Sequence, residues 1–263
     1  MFLGLTLQTL STVLKGRILY LFLITLTVWT GALYVISHAT VQISATPNIP
    51  FNGASAFTGI PSLGSVLTFL SIFAASRRIP EMLRPTLAGF YLSKPVSRLR
   101  LLSFTMLSTT IVFSLLIAVS LSIYGAFLLK FFPAHVSLLE VVEQIALEVF
   151  VFIVYVPILS FFGLTTRSGS FAFLLTFGVW LVAKVLALEE MRGFLLLIDN
   201  SFFTHLADIV YYILPRSSDI SSLVATAKTV GSEATDWSAL WTSMLSAIGI
   251  YALSVLRFRR MDF

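Results

Sequence analysis

Glu140, Gln144 and Glu148 recur at intervals of four, with Glu143 beside them. In a helix that interval returns side chains to one face, so the three stack along a single line. Two readings are open. The line is an acidic rim near a membrane surface that helps to set topology. Alternatively Glu148, about two turns further in, pairs with Lys184 on the neighbouring span, because an ionisable side chain inside an apolar helix needs a partner and often lines a pathway. The histidines His38, His135 and His205 stand far apart, and all fall on the expected outer side. They cannot supply the facing axial pair of a haem bundle, and they read as interfacial polar residues. No Walker A pattern and no GxGxxG occurs, so nucleotide phosphates have no glycine loop to hold them. There is no cysteine, which excludes disulfides and thiolate metal sites. No Ser/His/Asp set can be assembled. The residues therefore predict neither an enzyme nor a cofactor or metal site.

The elements that must position these groups are membrane spans. The chain is 57% hydrophobic and 11% charged, with mean hydropathy +0.96. Soluble domains carry roughly twice that charge, and apolar runs of about 20 residues recur along the sequence. The expected fold is an all-α polytopic membrane protein of six transmembrane helices, forming one domain over residues 1–263. Residues 1–17 put Leu3, Leu7, Leu10 and Leu14 on one face and Gln8, Ser11, Thr12 and Lys15 on another, as an interfacial helix does. A secretory signal with cleavage near Ser37-His38-Ala39 is the rival. It lacks the early positive charge, so an uncleaved first span is preferred.

Spans are expected at 18–36, 56–75, 101–129, 143–164, 171–188 and 239–256. Gly59, Pro61 and Gly64 predict a bent or partly re-entrant start to the second, and Pro157 a kink in the fourth. The third carries many hydroxyls, which let helices approach closely. Residues 189–238 hold charge and apolar pieces too short to cross, which suits a re-entrant hairpin or surface helices outside the membrane.

Charge orients the whole. Residues 77–100 carry Arg77, Arg78, Arg84, Lys94, Arg98 and Arg100 against one acid, Glu81. Lys15, Arg17, Arg167, Arg257, Arg259 and Arg260 fall on the same side when six spans are threaded with both termini in the cytoplasm. Only Lys130, Arg192, Arg216 and Lys228 fall on the outer side, as the positive-inside rule requires, and the acids show the reverse pattern. The net charge of +5 thus predicts plasma-membrane topology and contact with anionic lipid, and no nucleic-acid binding.

Within the basic loop, Glu81-Met-Leu-Arg-Pro-Thr86 and Leu92-Ser-Lys-Pro-Val-Ser-Arg98 resemble the loop after the second span of ABC-2 type transporter permeases. The tail Arg257-Phe-Arg-Arg-Met-Asp-Phe263 and the six-span layout resemble that family too. Pro85 stands where the family usually has Gly, and the spacing from Thr86 to Pro95 is about one residue longer. The resemblance implies a permease subunit, an exporter, working beside a second permease chain of the same or another kind. It also implies a separate ATPase chain, which holds the ATP. That chain would dock on a coupling helix at 77–100, centred on Pro85–Leu92 and using Glu81, Arg84, Thr86, Lys94, Pro95 and Arg98. Thr110 and Ser114 on the third span become candidates for the path lining or the dimer seam. The alternative is a structural or assembly subunit of a multi-subunit membrane complex, such as a respiratory one, with no transport of its own.

Overall fold

The structure, a computed structural model, describes residues 2–15, 17–43, 59–83, 97–132, 136–187, 208–230 and 237–261. Among the described residues there is no strand. In chain order the helices are α1 (Phe2–Lys15), α2 (Arg17–Ile43), α3 (Gly59–Ala75), α4 (Arg78–Met82), α5 (Arg98–Phe131), α6 (Leu138–Thr166), α7 (Gly169–Ala187), α8 (Ser217–Val230) and α9 (Ser238–Arg259). A short helical segment, 208–213, precedes α8. Among the described residues five helices are long and apolar enough to cross a membrane: α3 continued through α4, then α5, α6, α7 and α9. The pair α1 and α2, bent by 58° where they meet, makes a sixth if the two are taken as one. The all-α character expected from composition is observed among the described residues, and the long apolar helices fit a membrane-embedded protein.

α6 is the hub, since α3, α4, α5, α7, α8 and α9 all pack on it. Burial in apolar lipid gives helices little hydrophobic reason to associate, so close packing of small residues must do so. α3 shows the device. Its buried face runs Ile60, Leu63, Gly64, Leu67, Thr68, Ser71, Ile72 and Ala75, alternating bulky and small residues at helical spacing. The buried positions of α9 include Ala239, Ser243 and Ser254, and the Ser254 hydroxyl lies 3.5 Å from the Pro157 carbonyl on α6. α5 buries Leu102, Phe113, Ile117, Leu121 and Leu128, while Leu107, Ile111, Leu115, Val119 and Ile123 form an exposed apolar stripe at four-residue spacing. At 34 residues α5 is about 51 Å long, more than the ~30 Å hydrocarbon layer needs. Phe69 and Phe73 of α3 interleave edge to face with Phe173 and Phe177 of α7, and Phe177 stacks on Trp180.

Several boundaries differ from expectation. α2 continues to Ile43, seven residues past the expected end of the first span at 36. α3 begins as a regular helix at Gly59, not as a bent or re-entrant segment. Pro61 sits in its first turn, where a missing N–H costs nothing, and Gly64 serves contact rather than breakage. α6 runs unbroken through Pro157. Its start at Leu138 is fixed by a capping box: Ser137 Oγ accepts from the Glu140 amide (3.2 Å) and Glu140 Oε2 accepts from the Ser137 amide (3.0 Å). α6 and α7 join through Arg167 and Ser168 in a tight turn, with Arg167 at φ 53°. α1 presents three faces. Leu3, Leu7, Leu10 and Leu14 are exposed, Thr9 and Val13 are buried on the protein side, and Gln8, Ser11 and Thr12 are exposed on the third. That is the division an interfacial helix requires.

Candidate functional site

Two polar groupings stand out, one at each end of the bundle. The first surrounds Glu148, ten residues or about 15 Å into α6. Gln144 and Glu148 are both fully buried. Gln144 Nε2 donates to Glu148 Oε1 (3.1 Å) and to the Ser221 carbonyl of α8 (2.7 Å). Glu148 lies against Gly64 of α3, where a Cβ would overlap its carboxyl group. Its Oε2, together with Gln144 Oε1 and the Thr68 hydroxyl on the same α3 face, is buried without a hydrogen-bond partner among the described residues. Lys184 of α7 is only partly buried. Its ammonium donates to Ser65 Oγ (3.0 Å) and lies 4.6 Å from the Trp180 ring centroid.

Glu148 and Lys184, paired in one of the two readings, make no direct ion-pair contact here, although their charges act on each other. The two side chains converge on consecutive residues of α3, Gly64 and Ser65, and each is held by a neutral group there or on its own helix. The physical reason is packing. The absent side chain of Gly64 makes a recess that takes the carboxyl, and Ser65 points the adjacent position toward α7.

α8 completes this layer. At 14 residues it spans about 21 Å, too short to cross, and it packs against α6, α7 and α9. Its first residue, Ser217, meets the Tyr155 hydroxyl (3.4 Å), and Ser221 meets Gln144. The chain thus dips in alongside α6 within the stretch expected as an outer insert. Of the expected outer insert 189–238, residues 189–207 and 231–236 lie outside the described residues. The dip is pinned by Arg216, whose Nε donates to Asp219 Oδ2 (2.7 Å), whose Nη1 donates to Ser238 Oγ (3.2 Å) and whose amide donates to Ser243 Oγ (2.9 Å). The guanidinium also sits 4.9 Å from the Tyr211 ring centroid, and the Tyr211 hydroxyl bonds Asp219. Burial, then the Asp219 carboxylate, pushes the Tyr211 hydroxyl pKa up; burial opposes the Arg216 charge, but Tyr211 and Asp219 outweigh it and raise that pKa.

The second grouping lies where α3 and α6 end and α5 and α7 begin. Gly169 fits against Arg77, and a Cβ there would stand 3.0 Å from the Arg77 Cα. Arg78 Nη2 donates to the Thr9 carbonyl of α1 (3.2 Å), and Thr105 Oγ1 of α5 bonds Met82 Sδ (3.2 Å). Glu81 of α4 is half-buried here. Of the other proposed coupling residues, Arg84, Thr86, Lys94 and Pro95 lie outside the described residues, as does the expected short helix Pro85–Leu92. Arg98 is the first residue of α5, whose N-cap is Ser97. Thr110 bonds the Met106 carbonyl of its own helix (2.9 Å), and the Ser114 hydroxyl is buried without a partner among the described residues. No group of three or more His, Asp or Glu able to hold a metal occurs among the described residues.

Sequence reasoning found Gln144, Glu148 and Lys184 but missed what they touch. Gly64 carried a signal, since a small residue in a span marks close helix contact as readily as a break. The Ser221 contact carried none, because a backbone carbonyl is the same in every residue. No family model matches the chain, and no curated protein matches it.

Proposed function

We propose that this chain is the membrane-spanning permease subunit of an ABC-2 type transporter, an exporter driven by a separate ATPase chain that docks on residues 77–100. The carrying observation is the run Glu81-Met-Leu-Arg-Pro-Thr86 to Leu92-Ser-Lys-Pro-Val-Ser-Arg98. It is joined to α4, a helical turn that packs beneath α5, α6 and α7 at once. A load applied there reaches three spans together. The basic residues Arg77, Arg78, Arg100 and Arg167 lie at that same end of the bundle, which supports placing it, with both termini, in the cytoplasm. A second permease chain would pair along an apolar face such as the exposed stripe of α5, beside Thr110 and Ser114. The low charge of the spans favours amphipathic or lipid-like cargo.

The deciding experiment is a mild-detergent pull-down from native membranes, with mass spectrometry and an ATPase assay. A stoichiometric Walker-containing partner, lost when residues 84–98 are scrambled, is the expected result. Recovery with redox subunits, or with no nucleotide-binding chain, would overturn the reading in favour of a structural subunit. A proton-coupled carrier is tested separately: transport that survives alanine at both Glu148 and Lys184 eliminates it.

A further inference from the structure

A cavity of about 380 Å³ opens between the α3–α4 turn and the α6–α7 turn. That volume lies within the ~300–1,000 Å³ range of small-molecule sites. Its polar lining is Arg77, Glu81, Arg167, Ser168 and Ser170. Two guanidinium groups against one carboxylate leave it net positive, and among the described residues neither guanidinium has an ion-pair partner. Arg167 is there at a cost. It occupies φ 53°, the one non-glycine residue with positive φ among the described residues, at a helix end where glycine is the usual occupant. Arginine forks match phosphate oxygens in pairs, and serine hydroxyls add donors of adaptable direction.

The cavity lies at the ends of α3 and α6 and the start of α7. If these helices are threaded as membrane spans, such ends fall near the headgroup layer. We infer that this cavity binds a phosphate group, seated between Arg77 and Arg167, whose source is an anionic phospholipid headgroup or free phosphate. Such a site ties the α3–α4 and α6–α7 turns together through the ligand. It needs no ATPase partner, so it stands or falls separately from the permease reading.

The test uses the full-length chain in mild detergent and in nanodiscs of phosphatidylcholine, with and without phosphatidylglycerol. Readouts are native mass spectrometry of retained lipid and the thermal unfolding midpoint. Inorganic phosphate is titrated in detergent as a separate arm. The variants are Arg77→Gln and Arg167→Gly, with Arg257→Gln plus Arg259→Gln as a control for general surface charge. Arg167→Gly is the informative one, because glycine suits the backbone there and the fold is expected to survive. The expected result is one tightly held phosphatidylglycerol per wild-type chain, with apparent affinity about tenfold lower in either pocket variant and unchanged in the control. Protection by inorganic phosphate without preference for phosphatidylglycerol also supports the site and makes free phosphate its ligand. Wild-type binding by Arg167→Gly, or an equal loss in the control pair, would overturn it.

Discussion

Gly64 and Glu148 are a matched pair, and the match can be broken from either side. Gly64→Ala forces a methyl group into the Glu148 carboxyl and is expected to cost about 1–3 kcal/mol, as overpacking does. Combining it with Glu148→Ala should cost less than the sum of the two single changes. The measurement is a double-mutant cycle on thermal or denaturant unfolding in detergent, and strict additivity would mean that the two residues do not share the space. Arg167→Gly carries the opposite sign: relief of a left-handed backbone should stabilise by about 1 kcal/mol. A lower unfolding midpoint for that variant would show that its guanidinium matters to the fold itself. Much at this scale was legible. Gln144 and Glu148 announced themselves by spacing, but whether Glu148 met Lys184 depended on how α3 lies against both of their helices, and no periodicity within α6 or α7 records that.

Helices were the readable level, and α8 was the exception. A span declares itself by about 20 apolar residues, a signal that needs no partner. α8 has the sequence Ser-Ser-Asp-Ile-Ser-Ser-Leu-Val-Ala-Thr-Ala-Lys-Thr-Val, and its polar content conceals that Ile220, Ser221, Leu223 and Val224 are buried against the spans. Only the groove between α6, α7 and α9 makes it a buried element. The start of α6 was written more plainly, since Ser137 followed three residues later by Glu140 is a capping box on sight. Ser137→Ala should cost about 1 kcal/mol, read as a lower unfolding midpoint. Arg216→Ala should cost about 2 kcal/mol through its lost charged hydrogen bonds and release the dip. Hydrogen exchange over 208–230 should rise while exchange in α6 changes little. The same clamp responds to alkali. Because the Tyr211 hydroxyl titrates higher folded than unfolded, its contribution is complete at neutral pH and is lost as pH climbs past about 10, its unfolded value. Tyr211→Phe should flatten the stability profile in that range, and an unchanged profile would assign the alkaline loss to other groups.

Over the whole molecule the organising fact is polarity of charge along the bundle. Arg77, Arg78, Arg100 and Arg167 gather at one end, while the capped start of α6, with Glu140 and Glu143, marks the other. The chain lacks cysteine, so each introduced thiol is the only one present. In intact cells, an impermeant maleimide should label Ser137→Cys from outside, and Ser168→Cys and Arg260→Cys only after the membrane is opened. Labelling of all three from one side would reject a threaded bundle of this kind. The rings shared by α3 and α7 add a mechanical consequence. Phe69 and Phe73 mesh with Phe173 and Phe177 like teeth, at centroid separations of 5.1–5.4 Å. Sliding one helix past the other by a turn would unmesh every ring together, whereas tilting the pair as one body disturbs none. Sliding of α3 along α7 is therefore resisted by all three ring contacts at once, while each helix stays fastened along α6.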